Sequence, residues 1–170
     1  VAVYGCIGYI TAILYLLLQG VGDGSQPLIS QYYGEEDRAS VRAVRRLAYL
    51  TAVAVTVVCM IGVYLARAKV GTLFGASAAA NAGVIRYLPL FLAPLLLLAF
   101  VRITTSYFYA TEKNGLSYLL VYGEPVCTLL TLLLLPPLLK LTGVWLATPI
   151  AQVITFVIAC AAKRRVDAKT

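Results

Sequence analysis

Five stretches of this chain are each long and apolar enough to cross a lipid bilayer, and that fact limits its fold more than any other. A helix rises about 1.5 Å per residue, so about 20 mainly apolar residues span the hydrocarbon core. Segments 4–33, 41–68, 84–110, 116–135 and 144–162 meet this requirement. Membrane β-strands would alternate apolar and polar residues over about 9–11 positions. The run from Leu129 to Leu135 does not alternate; it is leucine except for Thr131. Composition agrees, with 61% hydrophobic and 12% charged residues among 170. Soluble domains carry about 45–50% and 25%. Disorder and a soluble globular domain are both excluded on this ground. The expected fold is all-α: one polytopic membrane domain over residues 1–170, with five transmembrane helices.

The charges then set topology. Lys and Arg number 14 against 7 Asp and Glu, a net charge of +7. The cations cluster at the ends of apolar runs, which points to membrane orientation rather than to nucleic acid. One side collects Arg38, Arg42, Arg45, Arg46, Lys113, Lys163, Arg164, Arg165 and Lys169; the other has Arg67, Lys69, Arg86 and Lys140. The richer side should be cytoplasmic, with the N-terminus outside and the C-terminus inside a plasma or inner membrane. Arg38, Arg42, Arg45 and Arg46 share a helical face suited to anionic lipid head groups. Glu35, Glu36 and Asp37 precede that helix, where negative charge is favoured. Histidine is absent, and Cys6, Cys59, Cys127 and Cys160 lie far apart inside apolar runs. Neither a metal nor a redox motif is present, so no cofactor is expected and the cysteines read as buried thiols. The chain begins at Val1 inside an apolar run, so it is expected to be part of a longer product.

Pro27, Pro89, Pro94, Pro125 and Pro149 fall within the spans and are expected to kink them. Pro136 and Pro137 are expected to end the fourth helix. Residues 71–83 read as an external loop of small residues, with a short interfacial helix capped near Ser77.

The first span carries the clearest pattern. Tyr15, Gln19, Asp23, Gln26, Ser30 and Tyr33 recur every three or four residues, and at about 100° per residue they form one polar stripe. Such a stripe must face protein or water, either as packing glue or as a cavity wall. Gly20 and Gly24 have the small-xxx-small spacing that admits a neighbouring backbone. Asp23 is the most expensive residue, because an ionisable side chain near the bilayer centre costs about 2.5–3.5 kcal/mol even on permissive scales. Two other charges lie within spans, Arg102 and Glu124. Counted from the cytoplasmic ends of their helices, Asp23, Arg102 and Glu124 lie roughly 16, 15 and 10 Å deep. The expectation is that Arg102 pairs with one acid or bridges both. The remaining negative charge would serve a proton, Na⁺ or a cationic substrate.

The sequence also resembles a known family. The segment from Gln26 through Pro27, Leu28, Ile29 and Ser30 to Gly34 closes a helix before a basic stretch. Gly143, Val144, Trp145, Leu146, Ala147 and Pro149 open the last one, and Tyr107 to Gly115 spans a helix end and loop. Together these are similar to the multidrug and toxic compound extrusion (MATE) family. The resemblance implies twelve helices in two six-helix lobes, of which these would be the eighth to twelfth. The seventh helix and the N-terminal lobe would then be missing partners. It also implies export of small organic cations or drugs in exchange for H⁺ or Na⁺. The family's second-lobe acid on the tenth helix has no counterpart within 84–110; Asp23 and Glu124 are candidates by position alone. The alternatives are a lipid-linked saccharide flippase of the same superfamily and a non-transporting scaffold. An enzyme is not expected, since without histidine or clustered ligands only isolated Asp, Glu and Ser remain.

Overall fold

The computed structural model describes residues 2–75 and 77–168. Among these residues six helices form: α1 (Ala2–Gly34), α2 (Arg38–Leu73), α3 (Ala78–Leu92), α4 (Leu95–Ala110), α5 (Asn114–Leu139) and α6 (Leu141–Asp167). No strand occurs among the described residues. α1, α2, α5 and α6 are each long and apolar enough to span a bilayer. The third expected span is instead two helices, α3 and α4, bent by 43° where they meet. Pro94 explains the break: it lacks an N–H to donate and its ring crowds the carbonyl four residues earlier, although Ala93 before it keeps helical dihedrals at φ −53° and ψ −46°. Together α3 and α4 make the fifth candidate span.

Three other boundaries differ from the sequence reading. α2 continues to Leu73 and α3 starts at Ala78, so most of the expected 71–83 loop is helical. Ser77 does cap a helix, accepting from the Ala80 N–H at 3.3 Å, but that helix is the first half of the span itself. α5 runs through Pro136 and Pro137 to Leu139. A proline's fixed φ suits a helix, and two of them in the last turns forfeit only their own donors. Pro27 is likewise accommodated within an unbroken α1.

α4 is the innermost helix. It packs on α1, α2, α5 and α6, and it separates α1 from α5. Its buried residues run along nearly its whole length, from Leu95 to Ala110. Two apolar cores form around it. One gathers Ile7, Leu14 and Leu18 of α1 with Leu88 of α3 and Leu98 of α4. The other, toward the opposite end, gathers Ile29, Phe108, Leu120 and Ala159. α4 lies tight against α1 at Gly22, where a Cβ would lie 2.7 Å from Ser106 Oγ and 3.7 Å from the Arg102 carbonyl oxygen. Gly20 and Gly24, the expected close-approach pair, have open space beside them. At Gly143 of α6 a Cβ would run into the Leu135 carbonyl of α5.

The basic end of the bundle is tied together across the chain. Arg45 of α2 bonds Asp167 of α6 at 2.8 Å, and Lys163 reaches the same carboxylate at 3.0 Å. Burial opposes ionisation of Asp167, but these hydrogen bonds outweigh it and hold the carboxyl below its usual value. Asp37 also lies below its usual value, because Ser40 donates to it from both side chain and backbone.

Two predictions follow from this packing. Gly143→Ala should destabilise the fold by about 1–3 kcal/mol, the usual penalty of overpacking. Gly8→Ala, which meets nothing within 4 Å, should leave stability nearly unchanged; unfolding by SDS in mixed micelles compares the two. Because the folded Asp167 carboxyl titrates below its unfolded value, the Arg45–Asp167 clamp stabilises above about pH 4 and is lost as pH falls through the lowered value. Partial exposure limits its contribution to roughly 1 kcal/mol or less. Thermal unfolding between about pH 3 and 6 should show that acid-side loss in the native chain and less of it in Asp167→Asn.

Candidate functional site

The polar stripe of α1 lies one residue round from the helix's buried edge. Ile7, Leu14, Leu18 and Ile29 pack inward, as does Ser25. Gln19, Asp23 and Ser30 are exposed, while Tyr15 and Gln26 are half-buried. Rotation by about 100° per residue accounts for this placement. The stripe borders α4 at both ends: Tyr15 stacks on Arg102, and the Ser30 hydroxyl donates to the Ala110 carbonyl at 3.4 Å.

Arg102, Glu124 and Tyr15 come together from three helices. Arg102 Nη2 bonds Glu124 Oε2 at 2.7 Å, and both side chains are less than one-fifth exposed. The guanidinium carbon lies 4.1 Å from the centre of the Tyr15 ring. The bond is single rather than a two-pronged fork. Arg102 Nε, on the same edge of the guanidinium, is buried with no acceptor. This arrangement bears out the pairing of Arg102 with one acid, but Asp23 is not part of it. Asp23 makes no ion pair within 4 Å and remains exposed on the stripe. Similar depth did not bring the three charges into one network, because depth says nothing of which way each helix is turned.

A cavity of about 410 Å³ opens beside Tyr15. Thr11 and Tyr15 of α1, Phe91 of α3, Leu98 of α4, and Thr148 and Gln152 of α6 contribute to its wall. It forms where α1 and α6 come near each other without packing closely. Above it Tyr4, Tyr87, Phe91 and Trp145 pack as a cluster, with Tyr87 and Trp145 stacked at 4.4 Å. The Tyr4 and Thr148 hydroxyls meet at 3.3 Å.

Several of these features were not read from the sequence. Tyr109 of α4 meets Tyr118 of α5, and Tyr118 meets Tyr122, each at 6.2 Å. This row flanks α4 on the side away from α1. The four-residue spacing of Tyr118, Tyr122 and Val126 was available as a signal, but in an apolar helix it looks like any other stripe. Tyr33 faces Lys113 at 5.8 Å. Of the four arginines expected as one lipid-facing patch, Arg45 is turned inward to Asp167 and to the Tyr107 ring, at 4.6 Å. Arg38, Arg42 and Arg46 stay exposed, with Arg42 Nε donating to the Arg38 carbonyl at 3.2 Å. Among the described residues no three His, Cys, Asp or Glu are placed to hold a metal ion.

The fold is thus a bundle of helices long and apolar enough to span a membrane, with a polar flank and an ion pair between two of the helices. The MatE family model matches residues 1–134, and the chain belongs to that family. No curated protein matches it significantly. Among solved structures, the chain is similar to an outward-facing multidrug resistance MATE family transporter of the MOP superfamily. There the identity is 20% and the TM-score 0.87, over 99% of this chain and 39% of that one. It is also similar to a crystal structure of a MATE mutant, with 17% identity and a TM-score of 0.83, over 93% of this chain and 36% of that one. The chain thus spans well under half the length of the transporters it matches.

The ion pair can be tested by a double-mutant cycle. Glu124→Leu or Arg102→Met alone leaves an uncompensated charge and should destabilise by several kcal/mol, up to about 3–5 if fully desolvated. The double variant should recover much of that loss. A loss in the double variant equal to the sum of the two single losses, measured by SDS unfolding, would show that the two residues act separately.

Proposed function

We propose that this chain forms part of the C-terminal lobe of a secondary active exporter, as its eighth to twelfth helices. The lobe moves small organic cations or drugs in exchange for H⁺ or Na⁺. One observation carries this reading: Gln19 and Asp23 are exposed at mid-span instead of packed between helices. Exposure of an ionisable group at that depth is tolerated only beside water or a polar partner. A scaffold that used the stripe as glue among these helices would bury it between them. Asp23 is then the group that binds the coupling ion or the cationic substrate. The Arg102–Glu124 pair, being neutral as a whole, fixes α4 and α5 beside the path. The chain acts as a carrier and not as an enzyme.

The remaining helices of a two-lobe transporter would face the stripe. The excess of Lys and Arg at the end holding Gly34 and Asp167 supports a cytoplasmic position for that end, in a plasma or inner membrane. Arg38, Arg42 and Arg46 there meet anionic head groups.

The test is efflux of a cationic dye, from vesicles or cells containing the chain within its full-length transporter, against imposed Na⁺ and H⁺ gradients. Asp23→Asn should lower gradient-driven efflux by about tenfold or more, the scale of losing a charge partner in a low-dielectric site. Glu35→Gln, in the exposed turn, should not change it. Unaltered efflux in Asp23→Asn removes Asp23 from the mechanism.

A further inference from the structure

The cavity beside Tyr15 differs in chemistry from the stripe below it. None of the residues lining it is charged. The nearest charges known to touch its wall are Arg102, against Tyr15, and Glu124, bonded to Arg102 at 2.7 Å. That carboxylate is therefore already matched. The Tyr15 ring is also engaged, since a guanidinium lies 4.1 Å from its centre. A second cation on the same ring would be drawn less strongly, because the first has used its π-electron density.

Desolvation decides between ligand classes. A permanent cation entering this cavity would lose water and meet no free carboxylate, which is costly in a mainly apolar site. An anion would meet no accessible cation, since Arg102 Nη2 is bonded to Glu124 and its acceptor-free Nε is buried. An uncharged ring system pays neither penalty. It would find the Tyr15 and Phe91 rings to pack on and the Gln152 amide to hydrogen-bond. Thr11 has already given its hydroxyl proton to main-chain carbonyls of Ile7 and Gly8. The volume, about 410 Å³, lies within the range of small-molecule sites, about 300–1,000 Å³.

We infer that this cavity binds uncharged, planar aromatic molecules and discriminates against cations of the same shape. The inference goes beyond the transport reading and does not rest on it, because it concerns binding to a site that Asp23 does not line.

The chain carries its own reporter. Trp145 is its single tryptophan, and its ring lies 5.9 Å from Phe91 in the cavity wall. Energy transfer from Trp145 to an anthracene reads occupancy, with the full chain in phosphatidylcholine nanodiscs. Three probes share one ring: 9-anthracenemethanol (uncharged), its 9-trimethylammoniomethyl analogue (cationic) and 9-anthracenecarboxylate (anionic). The alcohol should bind at least about tenfold more tightly than either charged probe, corresponding to about 1.4 kcal/mol. Arg102→Gln frees the Glu124 carboxylate and should raise affinity for the cation, narrowing or reversing that ratio. Gly8 lines the cavity with nothing within 4 Å of a Cβ, so Gly8→Phe should fill it and abolish saturable transfer. Ala12→Phe provides a second filling variant if the first fails to fold. A cation that binds as tightly as the alcohol in the native chain overturns the proposal. So does transfer that survives both filling variants, which would place the probe in lipid. Absence of saturable transfer for all three probes also overturns it, and leaves the cavity as a seat for a further helix.

Discussion

Inside a bilayer, a polar group without a partner has no water to fall back on, and each one costs several kcal/mol. Nearly every local choice in this fold answers that constraint. Thr56, Thr104, Thr105, Thr111, Thr128 and Thr155 each donate to the carbonyl four residues earlier, so their hydroxyls are satisfied within their own helices. At the α3–α4 break, the Ala93 N–H still reaches the Pro89 carbonyl and the Leu98 N–H reaches that of Pro94. Helices α1 and α4 end alike, with Glu36 and Glu112 in the left-handed region at φ 58° and 57°. The following residues, Asp37 and Lys113, donate back five residues to Tyr32 and Phe108. That geometry closes the helix ends at the expense of the strain glycine would avoid.

Against this background the exceptions stand out by type. Threonine satisfies itself; glutamine and aspartate cannot do so in the same way. Gln19 and Asp23 therefore depend on something outside α1. Arg102 depends on Glu124 from α5 and Tyr15 from α1. The guanidinium thus joins helices on opposite flanks of α4, at the level where the two apolar cores meet. One intramembrane pair links them where apolar side chains alone would leave each core to settle separately.

Much of this architecture was legible in the sequence. Apolar runs of 20 or more residues can do little but span a membrane, so the class and the helical spans were available from composition and length. The polar stripe of α1 was equally plain, since Tyr15 to Tyr33 repeats at helical period and no other placement keeps it together. What was not legible is rotation of one helix against another. Gly20, Gly22 and Gly24 are equally small, and only the phase of α1 against α4 makes Gly22 the one of the three that α4 packs against. The same missing angle made Asp23 seem as good a partner for Arg102 as Glu124. Between Pro89 and Pro94, either proline could have broken the third span. The second did, and Pro89 remained inside its helix.

The length of α1 has a consequence for how the bundle is held in height. Its 33 residues extend about 50 Å, against about 30 Å of hydrocarbon. With its middle in the membrane, its last turns stand clear of the surface, and Glu35, Glu36 and Asp37 are carried out into water. On the orientation proposed above, α2 then descends again, and Arg38, Arg42 and Arg46 would pass through the head-group layer one turn after another. The acidic turn resists being drawn in, and the arginines resist being pushed out past the phosphates. On that proposed placement, two opposed preferences on one helical hairpin would fix the vertical register of the bundle, and the Arg45–Asp167 clamp would pass that register on to α6.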